Sequence, residues 1–238
     1  MSEHLIESCI PFGLSRQEAT IYLFLLQNEA MSGYEVSKQT GISRSNVYSS
    51  LASLVEKGAS CVIEGNPSKY IAVLPDEFCD NRIRELVKHR DYLKRNITKA
   101  NETQEGYITI SGIKNIADKI YHMLRDAKER VYVSVSGENL KIMDYALREC
   151  SERNIKVVIL CDDNIQPDYS CEFYFSDEKA SQLRLIVDSK YVLTGEIKGN
   201  NSDNCLYCAQ PNFVNVFKDA LRNEIKLIKL YKGENKDE

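Results

Sequence analysis

Seven consecutive residues, Ser43-Arg44-Ser45-Asn46-Val47-Tyr48-Ser49, gather side chains able to read a nucleic acid. Arginine bridges guanine O6 and N7, asparagine bridges the edge of adenine, and serine hydroxyls suit phosphates. Val47 and Leu51 recur at helical spacing and must face a core, which leaves Arg44, Ser45, Tyr48 and Ser49 on other faces. Short polar residues are poor helix formers, so a structural helix gains little from so many of them. Lys69, further along, is placed to reach a neighbouring phosphate. The competing reading makes all of these ordinary solvated residues on a module that contacts protein; the composition favours DNA.

Two other groups could do chemistry. Cys205-Leu206-Tyr207-Cys208 is a CxxC pair. Zinc needs four ligands and no second pair is near, although Cys161 or Cys171 could approach in space. A redox role would need a helix N-terminus after the first cysteine. The context reads as a strand that turns Cys205 and Cys208 to opposite sides, so structural cysteines are expected; a thiol or metal sensor is the alternative. Ser136, Gly137, Asp162 and Asp163, with Lys190, lie just past expected strand ends, where open α/β sheets bind ligands. They are the candidates for a small-molecule effector, against the favoured reading that Asp and Gly fill such loops anyway. No catalytic residue, metal ligand or cofactor is expected.

The elements that must hold the seven residues are legible. Ser15 with Glu18, and Ser32 with Glu35, have the spacing of capping boxes. Ala19, Tyr22, Leu23, Leu25 and Leu26 follow the first at helical spacing. Gly41 is a natural helix stop, and Ser43 caps the next helix after one intervening residue. That next helix, Arg44 to Lys57, ends at Gly58. Two short helices around this tight turn form a helix-turn-helix. Two β-rich runs, 61–64 and 69–73, flank Gly65-Asn66-Pro67-Ser68 and read as the hairpin of a wing.

Residues 76–105 lack turn residues before Gly106. Ile83, Arg90 and Ile97 fall at a positions and Cys79, Leu86, Leu93 and Ala100 at d positions. About three heptads is near the minimum for a coiled coil, and a dimerising helix is favoured over one lying on its own domain. From 106 to 238, strands at 107–110, 131–135 and 157–160 alternate with helices at 115–128 and 140–153, which implies a parallel sheet. Glu172 to Phe175, the pair 183–187 and 191–196, an apolar run at 206–209 and a last helix from Asn212 follow.

The expected fold class is therefore α+β and multidomain: a winged helix-turn-helix (1–75), a coiled-coil linker helix (76–105) and an α/β domain (106–238). The 238 residues suit more than one domain, and no run of eighteen apolar residues offers a membrane span. The N-terminus carries acids where a signal peptide would be basic, so a cytoplasmic protein with free, mostly buried thiols is expected. The net charge of −4 counts against a nucleic-acid partner. Residues 1–75 hold five basic residues, Arg16, Lys38, Arg44, Lys57 and Lys69, against seven acidic ones. Binding then needs those few charges on one face and two copies acting together.

The set 14–23, Ser43 to Tyr48, Leu54-Val55-Glu56-Lys57-Gly58 and Gly65 to Tyr70 resembles the TrmB family of transcriptional regulators. The resemblance implies a winged helix, a coiled-coil dimerisation helix and a C-terminal domain like half of a phospholipase D fold. It implies Ser43 to Ser49 as the reading head, double-stranded DNA and a second copy as partners, and a sugar-binding subdomain only in longer relatives. Phospholipase D enzymes carry His-x-Lys and an Asp; the matching stretch here has Asp188, Lys190 and Gly195. A phosphodiesterase with a DNA-targeting head is thus the alternative, and an empty scaffold kept for ligand binding or assembly is favoured. The histidines, His4, His89 and His122, lie elsewhere.

Overall fold

Three serines start the first three long helices of the computed structural model, which describes residues 2–97, 106–176 and 179–234. After α1 (Glu3–Cys9) and a 3-10 turn, Ser15 opens α2 (Arg16–Leu26) with a complete capping box. Its hydroxyl accepts from Glu18 N–H, while its own N–H donates to the Glu18 carboxylate at 2.7 Å. The strand β1 (Met31–Ser32) ends in the second box, Ser32 with Glu35, which opens α3 (Gly33–Thr40). Gly41 closes α3 in the left-handed conformation (φ +73°), a position that favours glycine because it lacks Cβ. Ser43 then caps α4 (Arg44–Glu56) by accepting from Asn46 N–H.

The chain returns through β2 (Ser60–Ile63) and β3 (Lys69–Ala72), which pair antiparallel, and β3 also pairs with β1. The short β1 strand and the helix α1 were not among the sequence expectations. Val36, Val47, Leu51 and Leu54 pack with Ile21, Tyr22 and Leu25 into one core. The last element of this unit is α5 (Pro75–Asn96). Its first turns belong to the core: Phe78 is 2% exposed and meets Tyr22 at 5.5 Å and Phe12 at 6.3 Å between ring centroids. Beyond that, Ile83, Leu86, Leu93 and Ile97 all stand at least half exposed. The expected positions 98–105, Ala100 included, lie outside the described residues.

The chain divides into two compact units, Met1–Ala100 and Asn101–Glu238. The second comprises β4 (Tyr107–Ser111), α6 (Ile113–Asp126), β5 (Arg130–Val135), α7 (Gly137–Glu152), β6 (Lys156–Cys161), β7 (Glu172–Phe175), β8 (Gln182–Val187), β9 (Tyr191–Glu196), β10 (Asn204–Cys208) and α8 (Pro211–Glu234). Its seven strands lie in the order β4-β10-β9-β8-β5-β6-β7. Only β5, β6 and β7 are parallel; the other pairs are antiparallel, which corrects the expectation of a parallel sheet. A parallel connection needs a crossover of a dozen or more residues, and only Asp188-Ser189-Lys190 separates β8 from β9. Strand alternation sorts the residues between two faces. Val131, Val133 and Val135 of β5 pack with α6 and α7, whereas Tyr132 joins Val158, Leu160 and Ile186 beneath Leu221 of α8.

Glu18 ties the first unit together electrostatically. Burial opposes its ionisation, but hydrogen bonds from Lys57, Ser53 and the Ser15 N–H outweigh burial and hold the carboxyl down at about 2. The Lys57 ammonium lies 2.7 Å away and joins the end of α4 to the start of α2. A depressed folded-state pKa stabilises fully above the ordinary value of 4.5 and progressively less as pH falls towards 2. We expect Glu18→Gln to cost on the order of 2 kcal/mol at pH 7, and the gap from the parent to close between pH 4.5 and 2 in denaturant titrations.

Candidate nucleic-acid interface

The helix α4 buries Val47, Ser50, Leu51 and Leu54, so its remaining faces are free. Ser43, Arg44, Ser45, Asn46, Tyr48 and Ser49 are all exposed, clustered at the N-terminal end of the helix. Two contacts organise them. The Arg44 guanidinium lies 4.4 Å from the centre of the Tyr34 ring, a cation–π contact across the turn between α3 and α4. One turn on, the Tyr48 ring covers Gly33, where a Cβ would come within 2.6 Å of the ring. Gly33 is therefore required by close approach. Tyr34 and Gly33 were missed in the sequence; the available signal was a tyrosine two residues before the core residue Val36.

Lys69 is exposed and opens β3, where it pairs with Ser32, the residue preceding Gly33. The structure thus brings Lys69 to the same corner as Tyr34 and Tyr48. The other basic residues of residues 1–75 divide cleanly. Arg16 bonds Glu3 and Glu7, and Lys57 bonds Glu18. Lys38, Arg44 and Lys69 are exposed and carry no ion pair among the described residues.

In the second unit the candidates separate. Ser136 caps α7, Gly137 begins it, and the Asp162 carboxylate accepts from Gly137 N–H at 2.9 Å and from Lys179 N–H at 2.6 Å. These three lie together at the carboxyl ends of β5 and β6. A Cβ on Gly137 would come within 2.3 Å of the Asp163 side chain, so glycine is required there by close approach, and the two residues also line an open concavity of about 410 Å³ with Leu140, Lys141 and Asp144. Lys190 is exposed at the β8–β9 turn, which abuts the opposite end of β5, about 17 Å along the strand. The structure therefore does not bring Lys190 to the other three.

The phospholipase-like stretch is occupied by architecture. Asp188 adopts a left-handed backbone (φ +52°) and its carboxylate accepts from the N–H groups of Lys128, Glu129 and Arg130 at 2.8–3.2 Å. Burial opposes its ionisation, yet these backbone donors hold the carboxyl below its ordinary value. Gly195 sits where a Cβ would come within 2.3 Å of Asn204 O and 2.7 Å of Cys205 Sγ, leaving no room for a carboxylate. His122 is exposed on α6, and His4 and His89 lie on α1 and α5 of the other unit. Cys205 and Cys208 are both buried in β10, with Cys205 in the core beneath α6 and α7. Burial, with Asp203 adding to it, pushes the Cys205 thiol up to about 11. Among the described residues no three His, Cys, Asp or Glu side chains gather as a metal site.

Comparison with known families decides the framework. Residues 11–76 match the model of the sugar-specific transcriptional regulator TrmB, and residues 106–223 match that of the TrmB EBD N-terminal subdomain. The chain belongs to the TrmB family of transcriptional regulators. DNA binding goes with the helix-turn-helix of this TrmB-family regulator, and its α+β architecture agrees with the expected fold class. It is 24% identical over 244 residues to the uncharacterized protein YrhO of Bacillus subtilis, covering 98% of this chain and 88% of that one. It is 26% identical over 165 residues to the sugar-sensing regulator TrmBL1 of Pyrococcus furiosus, covering 67% of this chain and 48% of that protein. The structure of TrmBL2, an archaeal chromatin protein, aligns over 95% of this chain and 98% of that one, with 20% identity and a TM-score of 0.45. Among the described residues no helix is long and apolar enough to cross a membrane.

The thiols rank clearly by access: Cys61 is exposed, while Cys150, Cys161, Cys205 and Cys208 are buried. We expect Cys61 to react first with a thiol reagent on the native protein, and Cys205 to react only after denaturation, as mass mapping of the labelled peptides would reveal.

Proposed function

We propose that this regulator binds DNA as a homodimer and reads its operator with the N-terminal end of α4. Ser43, Arg44, Ser45, Asn46, Tyr48 and Ser49 contact the major groove and its phosphates, and Lys69 supports them from the start of β3. The observation that carries the reading is Arg44: an exposed guanidinium without a carboxylate partner, already laid on Tyr34 at the helix end that enters the groove in this motif. Fixing the side chain before binding lowers the ordering cost of the contact.

Dimerisation follows from the charge balance and from α5. The three cations without an ion pair in residues 1–75 of each copy supply little phosphate neutralisation, so two copies must act together on a pseudo-palindromic site. The stripe Ile83, Leu86, Leu93 and Ile97 leaves apolar surface for a second copy to cover. The second unit stabilises the dimer or answers a small-molecule effector, and does no catalysis. The last point is supported by Asp188, whose carboxylate is taken by backbone donors, and by the closed space at Gly195. The side-chain oxygens of Ser136 and Asp162 are taken by backbone N–H groups, that of Gly137 among them, which favours loop architecture over an effector site.

Footprinting on fragments upstream of its own and neighbouring genes, across a salt series, tests the reading. Arg44→Ala should weaken operator binding roughly 10- to 100-fold and relax preference at one base position. Unchanged affinity and preference would remove Arg44 from the reading head. Sedimentation that finds a monomer at tens of micromolar would overturn the dimer. Hydrolysis of a generic phosphodiester, lost in Lys190→Ala, would instead favour an enzyme.

A further inference from the structure

Beneath α8, on the face of the sheet away from α6 and α7, a cleft of about 280 Å³ opens against the parallel strands. Its floor is apolar, made by Val158, Ile186, Leu221 and Ile225, and two tyrosines, Tyr132 and Tyr174, line it. Its rim is basic. Lys156 stands on the β6 side, and Lys218, Arg222, Lys226 and Lys229 come from α8. One carboxylate in the lining, Glu172, faces these five cations and pairs with Lys156 at 2.7 Å.

The remaining cations are weakly compensated. Arg222 meets Asp219 at 3.0 Å, but both side chains are mostly exposed and such a pair contributes little. Lys229 lies 5.4 Å above the Tyr174 ring. Lys218 and Lys226 carry no ion pair among the described residues. Lys218, Arg222 and Lys226 follow one another at four-residue spacing, where like charges repel. A helix that served only to bury Val214 and Leu221 would gain nothing from this arrangement. Glu224 on the same helix bonds the buried Lys179 ammonium and lies 3.7 Å from Arg184, so α8 is held to β8 and the cleft wall is fixed.

We propose that the cleft binds a small phosphorylated metabolite that carries a ring. The phosphate lies among Lys218, Arg222 and Lys226, where it relieves their repulsion and accepts charge-assisted hydrogen bonds. The ring packs on the apolar floor beside Tyr132 and Tyr174. A nucleic-acid backbone fits less well, because the cations surround a concavity with an apolar floor that a convex duplex leaves empty. The proposal rests on the regulatory reading of the second unit and gives it a ligand class, and its deciding readout is metabolite binding in the absence of DNA. Its failure is therefore distinguishable from failure of the operator contacts, which Arg44→Ala reports.

The test is calorimetric titration of the full chain, at near-physiological salt, with adenosine monophosphate and with glucose 6-phosphate. Adenosine, glucose and inorganic phosphate serve as matched controls. We expect at least one phosphomonoester to bind at least tenfold more tightly than its unphosphorylated parent and than phosphate. In Lys218→Gln/Lys226→Gln that binding should weaken by about tenfold or more, and Lys156→Gln, on the opposite wall, should weaken it too. Thermal melts of both variants matching the parent would exclude unfolding as the cause. Binding by neither phosphomonoester overturns the proposal, as does undiminished binding in both variants. Phosphate binding as tightly as the esters would also overturn it, since the floor would then contribute nothing. Loss of random-duplex affinity in the double variant, without phosphomonoester binding by the parent, would replace it with a DNA-phosphate surface.

Discussion

Backbone N–H groups at helix starts and loop corners must find acceptors, and much of this chain's polar composition answers that demand. Ser15, Ser32 and Ser43 accept from the first turns of α2, α3 and α4. Ser136 does the same for α7. Three aspartates close the corners of the second unit: Asp162 at Gly137 and Lys179, Asp188 at Lys128 to Arg130, and Asp203 at Lys198 to Asn200. A carboxylate that accepts two or three backbone donors has its lone pairs engaged and its charge compensated. It is an anchor for a loop before it is a base or a nucleophile.

The same constraint accounts for the residues at positions 188 and 195. The turn at Asp188 needs a short acceptor that tolerates a left-handed backbone, and aspartate is suited to both. Gly195 is needed so that β10 can approach β9. Both positions are accounted for by the packing of the sheet.

In the first unit, ion pairs sort the basic residues that precede α5. Two of the five basic residues in 1–75 are tied to carboxylates that hold α1, α2 and α4 in place. The three that remain are exposed, and Arg44 is held by an aromatic ring in place of an acid. A carboxylate in the position of Tyr34 would neutralise the Arg44 guanidinium; a ring orients it and leaves its donors available.

Local order was legible in the chain alone, because caps and helix stops are set by residues three or four apart. Ser15 with Glu18, Ser32 with Glu35, Gly41 and Ser43 define the helix-turn-helix without any long-range information, and Val47, Leu51 and Leu54 define which side of α4 is free. The family resemblance rested on the same residues. What depends on distant neighbours was not legible. Strand direction in the second unit was misjudged, since β8, β9 and β10 follow one another by short connections and pair antiparallel, which is a property of the sheet. The cation–π contact between Arg44 and Tyr34, the covering of Gly33 by Tyr48, the wide separation of Lys190 from Asp162 and the basic cleft under α8 all join residues from different elements. Periodicity reports which face of an element is buried; only tertiary packing decides what that face meets.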